Sequence, residues 1–150
     1  MLFYTYYNMQ RRGTMELKKL TATFGSLQNQ SLTLAPGLNI ITAPNEKGKS
    51  TWCAFLRTMF YGFPTRTRGL QSDKNRYLPR SGAAMEGQIQ LTCRGRDITL
   101  TRHTARSNAP MGAFSAVYTG TADPVEDISA LNCGEMLLGV SREVYQRSAF

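Results

Sequence analysis

Seven consecutive residues have the types and the order of a loop that binds phosphate. They are Asn45, Glu46, Lys47, Gly48, Lys49, Ser50 and Thr51. Where such a loop leads into a helix, backbone N–H groups and the helix dipole favour a bound anion. We expect Lys49 to reach the β- and γ-phosphates of a nucleotide as a point charge, and Ser50 to place its hydroxyl on Mg²⁺. All seven positions are therefore predicted to contribute to nucleotide binding.

The elements on either side of this loop are visible in the pattern of apolar residues. An almost continuous apolar run at 38–42 predicts a strand at the centre of a sheet, covered on both faces. After the loop, five apolar side chains recur at helical spacing: Trp52, Phe55, Leu56, Met59 and Phe60. Gly62 ends the predicted helix, and Pro64 prevents it from resuming. A strand, a loop ending in Gly-Lys-Ser-Thr and a helix form a P-loop, which argues against a chance match in a surface turn.

One position departs from the usual P-loop pattern, in which a glycine begins the loop. Ala43 occupies that position here. Alanine is the smallest substitute for glycine, and Pro44 already favours an extended conformation at the residue before it. The loop can therefore still form if position 43 does not need a positive φ.

The rest of the chain predicts an α/β fold with an antiparallel meander after the P-loop helix. Alternating residues and turn signals place the other strands at 16–24, 31–34, 87–92, 97–102 and 114–119. The first of these is expected at an edge of the sheet or near one. Between the P-loop helix and the meander, 65–85 is predicted to be a polar loop. A short helix is expected at 135–138, with Asn132 as its N-cap.

Positive charge is concentrated in the middle of the chain. The chain has a net charge of +8, and the segment 57–106 holds ten basic and three acidic residues. Such a segment suits a phosphate-rich partner: a nucleotide, a nucleic acid such as DNA, or both. The alternative is a solvated basic loop without a partner. Cys53, Cys93 and Cys133 are too widely spaced for a zinc site or a disulfide framework, so we expect reduced thiols in a cytoplasmic protein. No apolar run in the sequence approaches the length of a membrane span, so we expect no contact with a membrane.

Three segments together resemble the N-terminal lobe of SMC/RecF-like, ABC-class AAA-family ATPases with long coiled coils. Residues 15–27 resemble the opening strand and the glycine turn of that family. Residues 37–51, Gly-Leu-Asn-Ile-Ile-Thr-Ala-Pro-Asn-Glu-Lys-Gly-Lys-Ser-Thr, resemble its strand and Walker A loop. Residues 137–150 resemble the segment that leads into its Q-loop.

The resemblance implies binding of ATP and Mg²⁺ at Asn45–Thr51, with Phe24, Gly25 and Ser26 near the adenine or ribose. It also implies a family role in DNA repair or chromosome maintenance. Hydrolysis in the family further requires a Walker B acidic pair, a signature motif and a Q-loop glutamine, and none of these is found in the sequence. Since a P-loop alone positions phosphates without completing the reaction, we predict no catalytic residue here.

The domain organisation follows from that resemblance. Residues 15–150 are predicted to form an incomplete ATPase head, truncated before the Q-loop glutamine, whose sheet has an open edge. The partner expected at that edge is a C-terminal ATPase lobe or a second head domain. Residues 1–14 are predicted to be a flexible extension, with an aromatic arm that binds a partner as the alternative.

Two other functions remain open at this stage. The first is a basic nucleic-acid-binding module with a vestigial P-loop, in which the predicted contacts are Arg66, Arg68, Arg76, Arg80, Arg94 and Arg96. The second is a small-molecule kinase of the P-loop class. Kinases of that class usually have the P-loop strand first in the chain, whereas two strand-like segments precede it here.

Overall fold

A computed structural model describes residues 2–4, 7–9, 13–42, 44, 48–64 and 72–148 of the chain. The strands are β1 (Leu2–Tyr4), β2 (Tyr7–Met9), β3 (Gly13–Phe24), β4 (Leu27–Thr33), β5 (Leu38–Ile40), β6 (Glu86–Cys93), β7 (Arg96–His103) and β8 (Ala113–Tyr118). The helices are α1 (Lys49–Tyr61), α2 (Asp73–Arg76), α3 (Cys133–Leu138) and α4 (Arg142–Ser148).

The main sheet is antiparallel, and β3 lies second from one of its edges, as predicted for the strand at 16–24. Strands β2 and β4 pair with different parts of β3 on one side, and β6, β7 and β8 follow on the other. The β6–β7 hairpin and β8 confirm the predicted meander after the P-loop helix. The register between β3 and β6 shifts between Leu17 and Lys19. Because this bulge adds one residue to β3, the buried positions change from odd numbers before it to even numbers after it.

Helix α1 covers one face of this sheet, and the predicted apolar stripe is buried there. All five side chains of the stripe, from Trp52 to Phe60, belong to the core. The closest approach is at Gly87 on β6, where an added Cβ would lie 2.3 Å from a ring carbon of Phe55 and 2.7 Å from the Met59 sulfur. The helix ends at Gly62 as predicted, with the Gly62 N–H donating to the Thr58 carbonyl at 2.8 Å.

The strand before the P-loop is where the sequence prediction is wrong. β5 is three residues long and pairs with β1, outside the main sheet. Its Leu38 and Ile40 side chains are 53% and 64% exposed. The apolar run correctly indicated a strand, but the described residues do not supply the layers that would cover its two faces.

Strands β1 and β2 lie within 1–14, and β3 begins at Gly13; the flexibility of this extension stays a prediction. Two further regions differ from their predicted form. The predicted loop at 65–85 contains α2, and 65–71 lies outside the described residues. Asn132 does precede α3, but its side chain does not cap the helix. Its Oδ1 instead accepts a hydrogen bond from the Ser129 N–H at 2.7 Å.

The cysteines form no disulfide within the described residues: Cys53 is partly buried, and Cys93 and Cys133 are buried. Burial raises the pKa of Cys133 to about 12, and the reduced state of the three thiols stays a prediction. The described residues contain no cluster of three or more His, Cys, Asp or Glu side chains that could hold a metal. In the same part of the chain, no helix has both the length and the apolar character needed to cross a bilayer.

Candidate phosphate-binding site

The N-terminal end of α1 is built to accept an anion. Gly48 precedes the helix in the left-handed conformation, with φ at 85°, which glycine adopts without a steric penalty. The first intrahelical hydrogen bond described runs from the Trp52 N–H to the Gly48 carbonyl at 2.9 Å. The N–H groups of Ser50 and Thr51 therefore precede the hydrogen-bonded ladder. Within the described residues, no side chain caps this end and no acidic residue lies in the first turn.

The predicted phosphate ligands lie at this helix end, as far as the structure describes them. The Lys49 ammonium donates to the Pro44 carbonyl at 3.5 Å, so its side chain reaches back across the loop. The Ser50 side chain is exposed, as a hydroxyl that binds a metal ion must be. Four residues of the motif region, Ala43 and Asn45–Lys47, lie outside the described residues, so their roles stay predictions.

The glycine turn between β3 and β4 packs directly against this helix end. The Ser26 and Thr51 hydroxyls lie 3.2 Å apart in a hydrogen bond. Gly25 adopts a φ of +57°, and a Cβ added there would lie 3.0 Å from the Thr51 methyl carbon. The turn expected near the nucleotide is thus held beside the P-loop helix by a close contact that only glycine permits.

Across from α1, the chain after α2 forms the other wall of a polar cleft of about 550 Å³. We call it the α1 cleft; it is lined by Gly25, Ser26, Gly48, Ser50, Thr51, Arg76, Tyr77, Leu78 and Arg80. The two arginines place positive charge opposite the helix end. This position was not predicted: Arg76 and Arg80 were expected to make contacts only in the alternative nucleic-acid-binding function, because the sequence of a polar loop does not reveal where the loop folds back.

Three contacts hold the second wall in place. The Asp73 carboxylate pairs with the Arg57 guanidinium of α1 at 2.9 Å, and both side chains are partly buried. The Tyr77 carbonyl accepts a hydrogen bond from the Gly25 N–H at 2.7 Å. The Tyr77 ring stacks on Phe24 with its centroid 5.1 Å away. Both walls are therefore tied to the same core, and the cleft is largely formed before any ligand arrives.

Among the described residues, the other basic side chains of 57–106 do not form one continuous surface. Arg102 is buried and donates to backbone carbonyls. Arg96 pairs with Asp127 at 3.3 Å, and this ion pair holds the pKa of the Asp127 carboxyl below its usual range. Arg66 and Arg68 lie outside the described residues, and Arg94 occupies the turn of the β6–β7 hairpin.

The site contains groups that bind phosphate, but no acid–base pair is near it among the described residues. Glu126 and Asp127 lie in a turn rather than at the end of a strand, where a Walker B acidic pair would lie. Asp127 forms an ion pair with Arg96. His103 is exposed at the end of β7. The hydrogen-bond donors of the α1 cleft are suited to the phosphates of a nucleotide. The exposed Ser50 hydroxyl is an oxygen ligand of the kind that Mg²⁺ prefers.

Comparison with known proteins agrees with this geometry. A family model described as an AAA domain matches residues 15–148, which include both walls of the α1 cleft. A search of curated proteins finds no match to the chain. On the family match, the chain is a nucleotide-binding, ATPase-like module, and it belongs to the AAA domain family.

Proposed function

We propose that this chain is the ATP- and Mg²⁺-binding half of an SMC-like, ABC-class ATPase head that works in the cytoplasm. The observation that carries the proposal is the uncapped N-terminal end of α1, with Lys49 beside it and Arg76 and Arg80 on the facing wall. Lys49 and the arginines would hold the phosphates, and Ser50 would hold Mg²⁺. The metal, when bound, would neutralise charge on the phosphate oxygens.

Hydrolysis is proposed to require a partner. Neither the sequence nor the described part of the structure offers a group that could orient an attacking water, and in the family that group comes from the C-terminal lobe. The exposed apolar side chains Leu38 and Ile40 lie on β5, directly before the P-loop. They support β5 as the place where a C-terminal ATPase lobe or a second head docks. A role in DNA repair or chromosome maintenance is proposed from the family resemblance.

Titration calorimetry with Mg·ATP tests the binding half of this proposal. Lys49→Ala removes a charged hydrogen-bonding contact, which is expected to cost about 1.5–3 kcal/mol and so to weaken binding by roughly 10- to 150-fold. Lys19→Ala is a matched control, because Lys19 is an exposed lysine on β3, away from the cleft.

Two outcomes would contradict the proposal. Absence of Mg·ATP binding by the folded chain, or equal affinities for Lys49→Ala and Lys19→Ala, would refute nucleotide binding at the α1 cleft. Release of phosphate from ATP by the purified chain alone, at rates that Lys49→Ala abolishes, would refute the claim that a second lobe is needed.

A further inference from the structure

A second cleft lies at the opposite, C-terminal end of α1. Its volume is about 320 Å³. We call it the Arg102 cleft; the residues that matter below are Phe63, Lys74, Arg102, Asn108, Met111 and Leu131. Since α1 has thirteen residues, the two clefts are separated by about 20 Å of helix. The Arg102 cleft is therefore distinct from the proposed nucleotide site.

Arg102 is the unusual residue of this cleft. It occupies a core-facing position on β7 and is only 3% exposed. Its Nε donates to the Met59 carbonyl at 2.9 Å, its Nη2 to the Ala130 carbonyl at 3.0 Å, and its Nη1 to the Met111 carbonyl at 3.4 Å. A guanidinium has five N–H donors, so these bonds leave two N–H groups to which the structure assigns no acceptor among the described residues.

The charge of Arg102 is also not balanced within the described residues. The described ion pairs use Lys18, Arg57 and Arg96. The Arg102 guanidinium carbon also lies 4.7 Å from the centroid of the Phe114 ring. Neither that ring nor the carbonyl oxygens carry a net charge, and the C-terminal end of α1 supplies the equivalent of about half a negative charge. Of the ten acidic residues, only Glu46 lies outside the description, and it precedes the other end of α1. Burial accordingly lowers the pKa of Arg102.

A buried cation without a carboxylate is costly unless an anion reaches it. The cleft offers that access, because Arg102 lines it together with Lys74 from α2 and Asn108. The rest of the wall is largely apolar, and Leu131 at the cleft is 98% exposed. A small anion with an apolar part would therefore satisfy the guanidinium and cover exposed apolar surface at the same time.

We propose that the Arg102 cleft binds a carboxylate that carries a short apolar chain. The planar guanidinium matches a carboxylate with two parallel N–H donors, which is the number that Arg102 retains. Lys74 adds a second positive charge, and Phe63, Met111 and Leu131 provide the surface for the apolar chain. This proposal does not depend on nucleotide binding at the α1 cleft.

The test is a titration of the ¹⁵N-labelled full chain with acetate, butyrate and inorganic phosphate at constant ionic strength, followed by amide chemical shifts. Butyrate is expected to shift the amides of Met111 and Leu131 and to bind more tightly than acetate, by up to about four-fold for each added methylene. Phosphate is expected to bind more weakly than butyrate. Two versions of a peptide that ends in leucine, one with a free and one with an amidated C-terminus, identify the source of the carboxylate. Binding of the free form but not of the amidated form indicates the C-terminus of a protein, whereas binding of butyrate but of neither peptide indicates a free acid.

Substitutions decide whether the binding belongs to this cleft. Lys74→Ala is expected to weaken butyrate binding at least several-fold, whereas Lys19→Ala leaves it unchanged. Arg102→Lys keeps the positive charge but removes the planar guanidinium with its paired N–H donors, so it should also weaken butyrate binding. If that variant fails to fold, the result for Lys74→Ala decides the test. The proposal is overturned if butyrate shifts no amide of the cleft, if phosphate binds as tightly as butyrate, or if Lys74→Ala binds butyrate like the wild type.

Discussion

Replacing Gly25 by alanine tests whether the glycine turn positions the end of α1. The new Cβ would lie 3.0 Å from the Thr51 methyl carbon and 3.2 Å from a Tyr77 ring carbon. Both walls of the α1 cleft would then have to move apart by a few tenths of an ångström. The residue would also keep a φ of +57°, which costs an L-residue about 1–2 kcal/mol.

Gly82→Ala separates these two effects. Gly82 has a φ of +77°, and an added Cβ there would meet nothing within 4 Å. The backbone cost is therefore shared by both variants, and the difference between them reports the contacts in the cleft. Forced contacts of this kind cost about 1–2 kcal/mol, which for a chain of this size lowers the melting temperature by about 2–8 °C more in Gly25→Ala than in Gly82→Ala.

Differential scanning calorimetry and Mg·ATP titration measure the two consequences. Gly25→Ala should bind Mg·ATP several-fold more weakly than the wild type, because Thr51 and Tyr77 no longer keep their separation. Gly82→Ala should bind it as the wild type does. Equal melting temperatures and equal affinities for the two variants would show that the turn does not set the geometry of the cleft.

Three other substitutions have definite expected outcomes. Gly87→Ala should lower the free energy of unfolding by about 1–3 kcal/mol in urea denaturation, because its Cβ would overlap the buried Phe55 ring. Asp127→Asn should reduce the loss of stability in acid: the pKa of Asp127 is lowered by its ion pair with Arg96, so the pair stabilises the fold above about pH 4 and this contribution is lost as the pH falls further. Ile40→Lys should leave the melting temperature within about 1–2 °C of the wild type, because Ile40 is exposed, and should reduce self-association in light scattering.

Each of these substitutions has a second substitution that serves as its control. Gln88→Ala alters the exposed face of the same strand as Gly87, and an equal loss of stability there would contradict a packing origin. Glu126→Gln removes a carboxylate beside Asp127. If it changes the dependence of stability on acid pH as much as Asp127→Asn does, the ion pair between Asp127 and Arg96 is not the cause of that change. Leu131→Lys alters an exposed leucine away from β5. If Leu131→Lys reduces self-association as much as Ile40→Lys does, self-association is not specific to the apolar surface of β5.

The sequence by itself determined the local elements and the chemistry at the start of α1. The stripe from Trp52 to Phe60, the glycine at 62 and the β6–β7 hairpin follow from periodicity and turn residues, which act over a few positions along the chain. The proposed roles of Lys49 on phosphate and of Ser50 on Mg²⁺ are equally local, since they rest on the order of residues at a helix start.

Only the tertiary structure decided which distant residues share a site. Arg76 and Arg80 reach the α1 cleft because Asp73 pairs with Arg57 and Tyr77 stacks on Phe24, contacts that no short-range pattern encodes. The apolar run of β5 likewise predicted burial, but burial depends on what packs against a strand. Periodicity reports a residue's preference for a covered face, and the fold of the whole chain determines whether that cover exists.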